Sequence, residues 1–87
     1  MSYELRMTSR AEKELDDLPD DIYRRIDEAV LGLADEPRPA RAVKLTDSDG
    51  RWRIRVGEYR VLYTVDDAAE VVTIGRVLHR RDAYRKF

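Results

Sequence analysis

Residues 51–65, Arg-Trp-Arg-Ile-Arg-Val-Gly-Glu-Tyr-Arg-Val-Leu-Tyr-Thr-Val, constrain the fold more than any other stretch of the chain. The first six alternate strictly, with Arg51, Arg53 and Arg55 on one face of a strand and Trp52, Ile54 and Val56 on the other. After Gly57-Glu58 the alternation resumes, Tyr59, Val61, Tyr63 and Val65 being interleaved by Arg60, Leu62 and Thr64. A glycine at the first central position suits a two-residue type II′ turn, which predicts a tight β-hairpin. In that register Arg55 faces Arg60, Ile54 faces Val61, Arg53 faces Leu62 and Trp52 faces Tyr63. A three-residue loop would set arginines opposite core residues, so the pattern argues against it.

The hairpin then has two unlike faces. Trp52, Ile54, Val56, Tyr59, Val61 and Tyr63 make a core face, where the aromatic rings are expected to pack rather than stack on bases. Arg51, Arg53, Arg55 and Arg60 gather on the other. Like charges directly opposite on a sheet destabilise it, so this cluster asks for an anion, and a phosphate backbone is the best candidate. Salt bridges from Arg55 and Arg60 to Asp82 and Glu58 are the structural alternative.

The remaining segments supply what this hairpin packs against. Residues 2–7 alternate enough for a first strand, with Tyr3, Leu5 and Met7 inward. Ser9 and Glu12 fit a capping box opening a helix whose apolar face is Ala11, Leu15 and Leu18 and which Pro19 closes. Asp20 and Asp21 suit the start of a second helix, with Ile22, Ile26, Ala29, Val30 and Leu33 as its stripe and Pro37 and Pro39 ending it. Residues 42–45 read as a short strand. Residues 46–50 form a turn without the ligand spacing of a calcium loop. A last strand is predicted over 70–78.

Composition narrows the class. Eighty-seven residues make one domain, 1–87, with a modest core. The chain has no Cys and one His, so neither a disulfide nor a thiolate or His-rich metal site is expected, and no cofactor. Its first residues lack the apolar run of a signal peptide and no stretch approaches membrane-spanning length; a soluble cytoplasmic protein with no membrane association is expected. Charge is unevenly spread: residues 1–36 carry five basic and eleven acidic side chains, residues 37–87 twelve and seven. That asymmetry predicts a basic working surface behind an acidic face.

If the last strand pairs antiparallel with 59–65, its end lies beside Tyr59 and Arg60. His79-Arg80-Arg81-Asp82-Ala83-Tyr84-Arg85 then emerges next to Arg55 and Arg60. Two basic stretches, distant in sequence, converge on one corner of the sheet.

These two runs, Arg53 to Tyr63 and His79 to Arg85, following a strand and a helical hairpin, resemble the RelE/ParE toxin superfamily, the RelE branch more closely. The resemblance covers essentially the whole chain. It implies an α+β fold of order β-α-α-β-β-β(-α), a helical hairpin packed on a mainly antiparallel sheet of four to five strands, with a short C-terminal helix or tail. It further implies a toxin of a type II toxin–antitoxin system, a ribosome-dependent mRNA endonuclease that binds the ribosomal A site and cuts the codon there without metal. In such enzymes the 2′-hydroxyl attacks the adjacent phosphate, leaving a 2′,3′-cyclic phosphate and a 5′-hydroxyl. Arg53 and Arg55 take positions that are lysines in the family prototype. Arg60 matches its Tyr-Arg arginine, Arg80 its late arginine and Tyr84 its late tyrosine.

The implied chemistry suits the residues. Charge builds on the phosphorane oxygens during in-line attack, and fixed guanidinium groups stabilise it. Arg55, Arg60 and Arg80 are the expected clamp, and Tyr84 would stack on the exposed base or orient the attacking hydroxyl. An arginine stays charged, so His79 becomes the candidate general base or acid, with a hydrogen bond tying the last strand to the tail as its structural alternative. Arg51, Arg53, Arg81, Arg85 and Lys86 are expected to bind RNA by general attraction, and Asp82 to hold an arginine. The implied partners are a cognate antitoxin, RelB-like or similar, the ribosome and mRNA, with DNA reached only through the antitoxin complex. A ParE-like inhibitor of gyrase without nuclease activity, and a catalytically weakened homologue that only binds its antitoxin, are the alternatives.

Overall fold

The computed structural model describes residues 2–45 and 50–82. The chain runs β1 (Glu4–Met7), α1 (Ser9–Asp16), α2 (Asp20–Gly32), β2 (Val43–Lys44), β3 (Arg51–Val56), β4 (Tyr59–Asp66) and β5 (Val71–His79), with a helical turn at 80–82. The described strands form one sheet in the order β1-β5-β4-β3-β2, antiparallel except where β1 runs parallel to β5. This is the expected α+β fold. The turn expected over 46–49, and Tyr84, Arg85 and Lys86, lie outside the described residues.

The hairpin has the register its alternation demands, Arg55 facing Arg60, Ile54 Val61, Arg53 Leu62 and Trp52 Tyr63. Gly57 opens its turn at φ +58, a conformation in which a side chain is strained. A Cβ there would also lie 3.2 Å from the Arg25 Nη2. On β5, Gly75 is the extra residue of a bulge, between Ile74 facing Tyr63 and Arg76 facing Leu62. The bulge keeps Val72, Ile74 and Val77 all on the core face.

Both helices cover that face. Ala11 and Leu15 of α1, and Ile26 and Val30 of α2 with Leu33 just beyond it, bury against Ile54, Val61, Tyr63, Val72, Ile74 and Val77. Burying one such aliphatic side chain is worth roughly 1.5–3 kcal/mol, so a two-layer core of this size holds a small domain together. Trp52 and Tyr59 pack at its rim, as their parity requires.

Two helix ends differ from the sequence expectation. Thr8, not Ser9, is the N-cap of α1, its hydroxyl accepting from the Ala11 N–H at 3.1 Å while donating to the Gly75 carbonyl at 3.0 Å. Thr8 wins because one hydroxyl there serves both the helix and the sheet. α2 stops at Gly32, well before Pro37 and Pro39, and the chain leaves it through a turn at 33–35. Pro37 instead offers its carbonyl to the Tyr63 hydroxyl, 2.7 Å away in the interior. Burial pushes that phenol up to about 12. Arg38 then lies over the Trp52 ring and pairs with Asp67, to which Tyr3 also donates. The Arg38 hydrogen bond is the main reason the Asp67 carboxyl is held below its usual range, with the Tyr3 hydroxyl second.

β1 reaches only as far as Ile74, so the upper half of β5 would be a bare edge. α1 closes it. The Ile74 carbonyl accepts from the Thr8 N–H, and the Glu14 carboxylate accepts from the Val77 N–H at 2.8 Å while holding Arg76 through a bidentate pair. Exposed strand edges invite unwanted pairing, and covering one with a helix removes the template.

Candidate nucleic-acid interface

The face of the sheet away from the helices is read most simply as cross-strand rows. At the hairpin tip Arg55, Arg60 and Leu78 stand side by side. The next row is Val43, Arg53, Leu62 and Arg76, and the one below it Arg51, Thr64, Thr73 and Arg6. Every second residue along a strand is about 6.6 Å from its neighbour on the same face, so Arg51, Arg53 and Arg55 form a ladder of cations at that spacing. Among the described residues the carboxylates of this face lie at its far end, Asp66 and Glu4. Glu4 is taken by Arg6 at 2.7 Å, and that bond holds its carboxyl below the usual range.

Arg60 is the unusual member. It is 3% exposed, the one buried charged side chain among the described residues, and the hydrogen bond it makes there is a long one, 3.4 Å from Nη1 to the Tyr59 carbonyl. The expected alternative, carboxylate partners Glu58 and Asp82 for Arg55 and Arg60, is not what forms. Glu58 turns instead to Arg80, at 3.6 Å. A buried guanidinium without a counter-charge is costly, and an anion arriving at the tip would relieve that cost. Arg53 adds to the imbalance, since its Nε is buried with no hydrogen-bond partner among the described residues.

The two basic stretches do meet. The Arg80 N–H donates to the Glu58 carbonyl at 2.7 Å, which clamps the chain leaving β5 onto the hairpin tip and holds the exposed Arg80 guanidinium beside it. Arg81 follows, also exposed.

His79 does not join Arg55 and Arg60. It pairs with Tyr59, whereas Leu78 pairs with Arg60, so His79 lies on the helix-packed face. Its ring stands edge-on to Tyr59 with centroids 5.3 Å apart, and borders a cavity lined by Ile22, Arg25, Val56 and Tyr59. Its Nδ1 accepts from the Arg81 N–H at 3.3 Å, tying the strand to the helical turn. The reason is parity: consecutive strand residues point to opposite faces, so a site built on Arg60 and its neighbour Leu78 cannot also hold His79.

Sequence reasoning placed Arg51 on this face but missed the residues that surround it at the lower end. Arg10, Arg51, Arg76, Thr64 and Thr73 line a cavity of about 340 Å³ there. Only the Gly75 bulge puts Arg76 on this side, and an isolated glycine in a strand pattern was the available signal. Among the described residues no His, Cys, Asp and Glu side chains are grouped as metal ligands would be, and no helix is long and apolar enough to cross a membrane.

The family described as the ParE toxin of type II toxin-antitoxin system, parDE, matches residues 5–84. The chain belongs to that family, within the RelE/ParE superfamily. Toxin RelG of Mycobacterium tuberculosis is 37% identical over 87 residues, covering 99% of this chain and 100% of RelG. A putative toxin RelE1 of Methanocaldococcus jannaschii is 28% identical over 88 residues and 98% of each chain. Among solved structures, the toxin–antitoxin complex RelBE2 from M. tuberculosis matches with a TM-score of 0.81 and 34% identity, covering 92% of this chain and 100% of that one. The RelE–RelB complex from Pyrococcus horikoshii matches at 0.82 and 32%, covering 92% and 97%. The protein is thus a RelE-like toxin of the type II class.

Proposed function

We propose that this toxin is an endoribonuclease that enters the ribosomal A site and cuts the mRNA codon held there. The observation that carries the reading is Arg60, a nearly buried cation without a carboxylate partner among the described residues, facing Arg55 at a hairpin tip to which Arg80 is clamped. A phosphodiester is the anion such an arrangement fits. In the reaction the 2′-oxygen bonds to phosphorus and the bond to the 5′-oxygen breaks. The 2′-hydroxyl proton departs and the leaving oxygen gains one. Negative charge accumulates on the two non-bridging oxygens, and guanidinium groups held in place before the reaction stabilise it without reorganising. Arg60 is held by its burial and Arg80 by its backbone bond to Glu58. Arg55 is free to close over the strand.

Tyr84 would stack on the base, and Arg81, Arg85 and Lys86 would add attraction to phosphate. The antitoxin follows from the same surface. The RelE relatives from M. tuberculosis and P. horikoshii were solved as complexes with RelB-type antitoxins, and an acidic amphipathic segment would complement residues 51–60 and neutralise them. Operator binding would then belong to the antitoxin, and the site of action to the cytoplasm, where the ribosomes are.

Primer extension on a defined mRNA, held on purified ribosomes with an empty A site, tests the activity. A new stop inside the A-site codon, absent with free mRNA and with Arg80→Ala, is the expected result. No cut under any condition overturns the nuclease and shifts attention to the gyrase-inhibiting mode of ParE-like toxins.

A further inference from the structure

We propose that the open face carries a second phosphate subsite below the hairpin tip, built from Arg10, Arg51, Thr64 and Thr73 beside the Gly75 bulge. It rests on the nuclease reading in supposing that an RNA strand seated at Arg55 and Arg60 continues down the sheet. Three observations carry it. Arg10, Arg51 and Arg76 line one cavity with the hydroxyls of Thr8, Thr64 and Thr73, and no carboxylate lines it. Of these, Thr8 is already committed to the Ala11 N–H and the Gly75 carbonyl, and Arg76 to Glu14. The Arg10 and Arg51 guanidiniums and the Thr64 and Thr73 hydroxyls have no hydrogen bond or ion pair among the described residues.

The cavity between α2 and the hairpin differs in one respect. It too has three arginines, Arg25, Arg41 and Arg55, but Glu28 and Glu36 line it with them. Its two carboxylates offset all but one of its arginines, whereas Arg10 and Arg51 on the lower open face meet none. Arginine and hydroxyl donors with no carboxylate among them fit a phosphate, which takes charge and hydrogen bonds from the same side chains. The spacing agrees. Arg51 and Thr64 lie two rows below Arg55 and Arg60, about 13 Å along the strands. An extended single strand with one phosphate per row reaches the lower subsite two phosphates beyond the tip, passing Arg53.

Fluorescence anisotropy with end-labelled 2′-O-methyl RNA, which lacks the attacking hydroxyl, tests this on the whole chain. The oligonucleotide is lengthened one residue at a time from a dinucleotide. Affinity is expected to rise until the strand reaches the lower subsite and then level off. Arg51→Ala and the double variant Thr64→Val/Thr73→Val should each abolish the gain from length while leaving dinucleotide affinity intact. Arg51→Ala should also make the dependence of log affinity on log salt shallower by about 0.7, because one phosphate fewer is neutralised. Arg24→Ala, on the exposed side of α2, should keep the gain, and thermal unfolding of each variant shows that the fold is retained. No gain with length in the wild type, or a gain that survives both variants, overturns the subsite. So does displacement of the longer RNA by polyglutamate of equal charge as readily as by unlabelled RNA, which would mark the face as a dock for acidic protein. Ribosome-dependent cutting without the length effect removes the subsite alone. The length effect without cutting removes the nuclease and leaves the subsite.

Discussion

Arg55 and Arg60 face each other directly across the hairpin, yet Arg55 is exposed and Arg60 is 3% exposed. The pair therefore divides its labour. Arg60 is held in place at a cost in stability, and Arg55 keeps its freedom and its hydration. If Arg60 is retained for an anion rather than for the fold, Arg60→Met should stabilise the free protein while removing activity. Replacing a buried, uncompensated charge by an apolar side chain of similar volume commonly gains about 1 kcal/mol or more, or about 4–8 °C for a domain of this size. Cleavage on ribosomes should fall by about 10²–10³-fold, the usual cost of one preorganised donor to a developing oxyanion. Differential scanning calorimetry beside primer extension reads both. A destabilised but active variant would reverse the assignment.

How much of this the chain disclosed depends on how local the cause is. The hairpin register was legible because Gly57 and a period of two leave one parity that buries Trp52, Ile54 and Val61. The arginine face followed from the same parity. The position of His79 was not legible, because it rests on whether β5 pairs Val77 or Leu78 with Arg60, and the Gly75 bulge shifts that pairing by one residue. The Thr8 cap was hidden for a similar reason, since its second partner, the Gly75 carbonyl, is remote in sequence. Local alternation is written in adjacent residues; bulges and cross-element hydrogen bonds are settled only when the elements meet.

Glu14 carries more of the fold than a half-buried surface acid usually does. Its carboxylate accepts from the Val77 N–H and from both Nε and Nη2 of Arg76, with side chains 22% and 18% exposed. Glu14→Ala would leave a strand N–H without its acceptor and Arg76 without that partner, a loss of about 1–3 kcal/mol. Urea denaturation should show the midpoint falling with an unchanged slope. Arg76→Ala should cost less, because the Val77 bond survives it. Equal stability of Glu14→Ala and the wild type would show that water closes this edge as well as the helix does.

Tyr63 gives the protein an alkaline limit. Its phenol is buried, donates to the Pro37 carbonyl and is pushed up to about 12 by that burial, against 10.0 in the unfolded chain. A raised value in the folded state means that the stabilisation is fully present below pH 10 and is lost as pH rises through about 12. Tyr3, raised by its bond to Asp67, adds to the same loss. Stability measured across this range should fall steeply in the wild type and less steeply in Tyr63→Phe. At neutral pH Tyr63→Phe should cost about 1 kcal/mol for the lost hydrogen bond. Parallel curves for the two proteins would place the alkaline transition elsewhere.

His79 offers the sharpest test of which face does the chemistry. A general base must come within about 2.6–3.2 Å of the proton it removes, directly or through one water. His79 is on the opposite side of the sheet from Arg60, edge-on to Tyr59, with Nδ1 taken by the Arg81 N–H. It is the chain's one histidine, and the chain has no cysteine. A site centred on Arg55 and Arg60 therefore has no side chain that ordinarily titrates near neutrality, and its cleavage rate should be flat between about pH 5 and 8. His79→Gln keeps an acceptor for the Arg81 N–H, so the rate should stay within a few-fold of wild type and the profile should not change. A loss of about 10²-fold with a shifted profile would bring His79 into the proton transfer. The reacting phosphate would then have to sit at the end of β5, around the sheet's edge, where both faces can be reached.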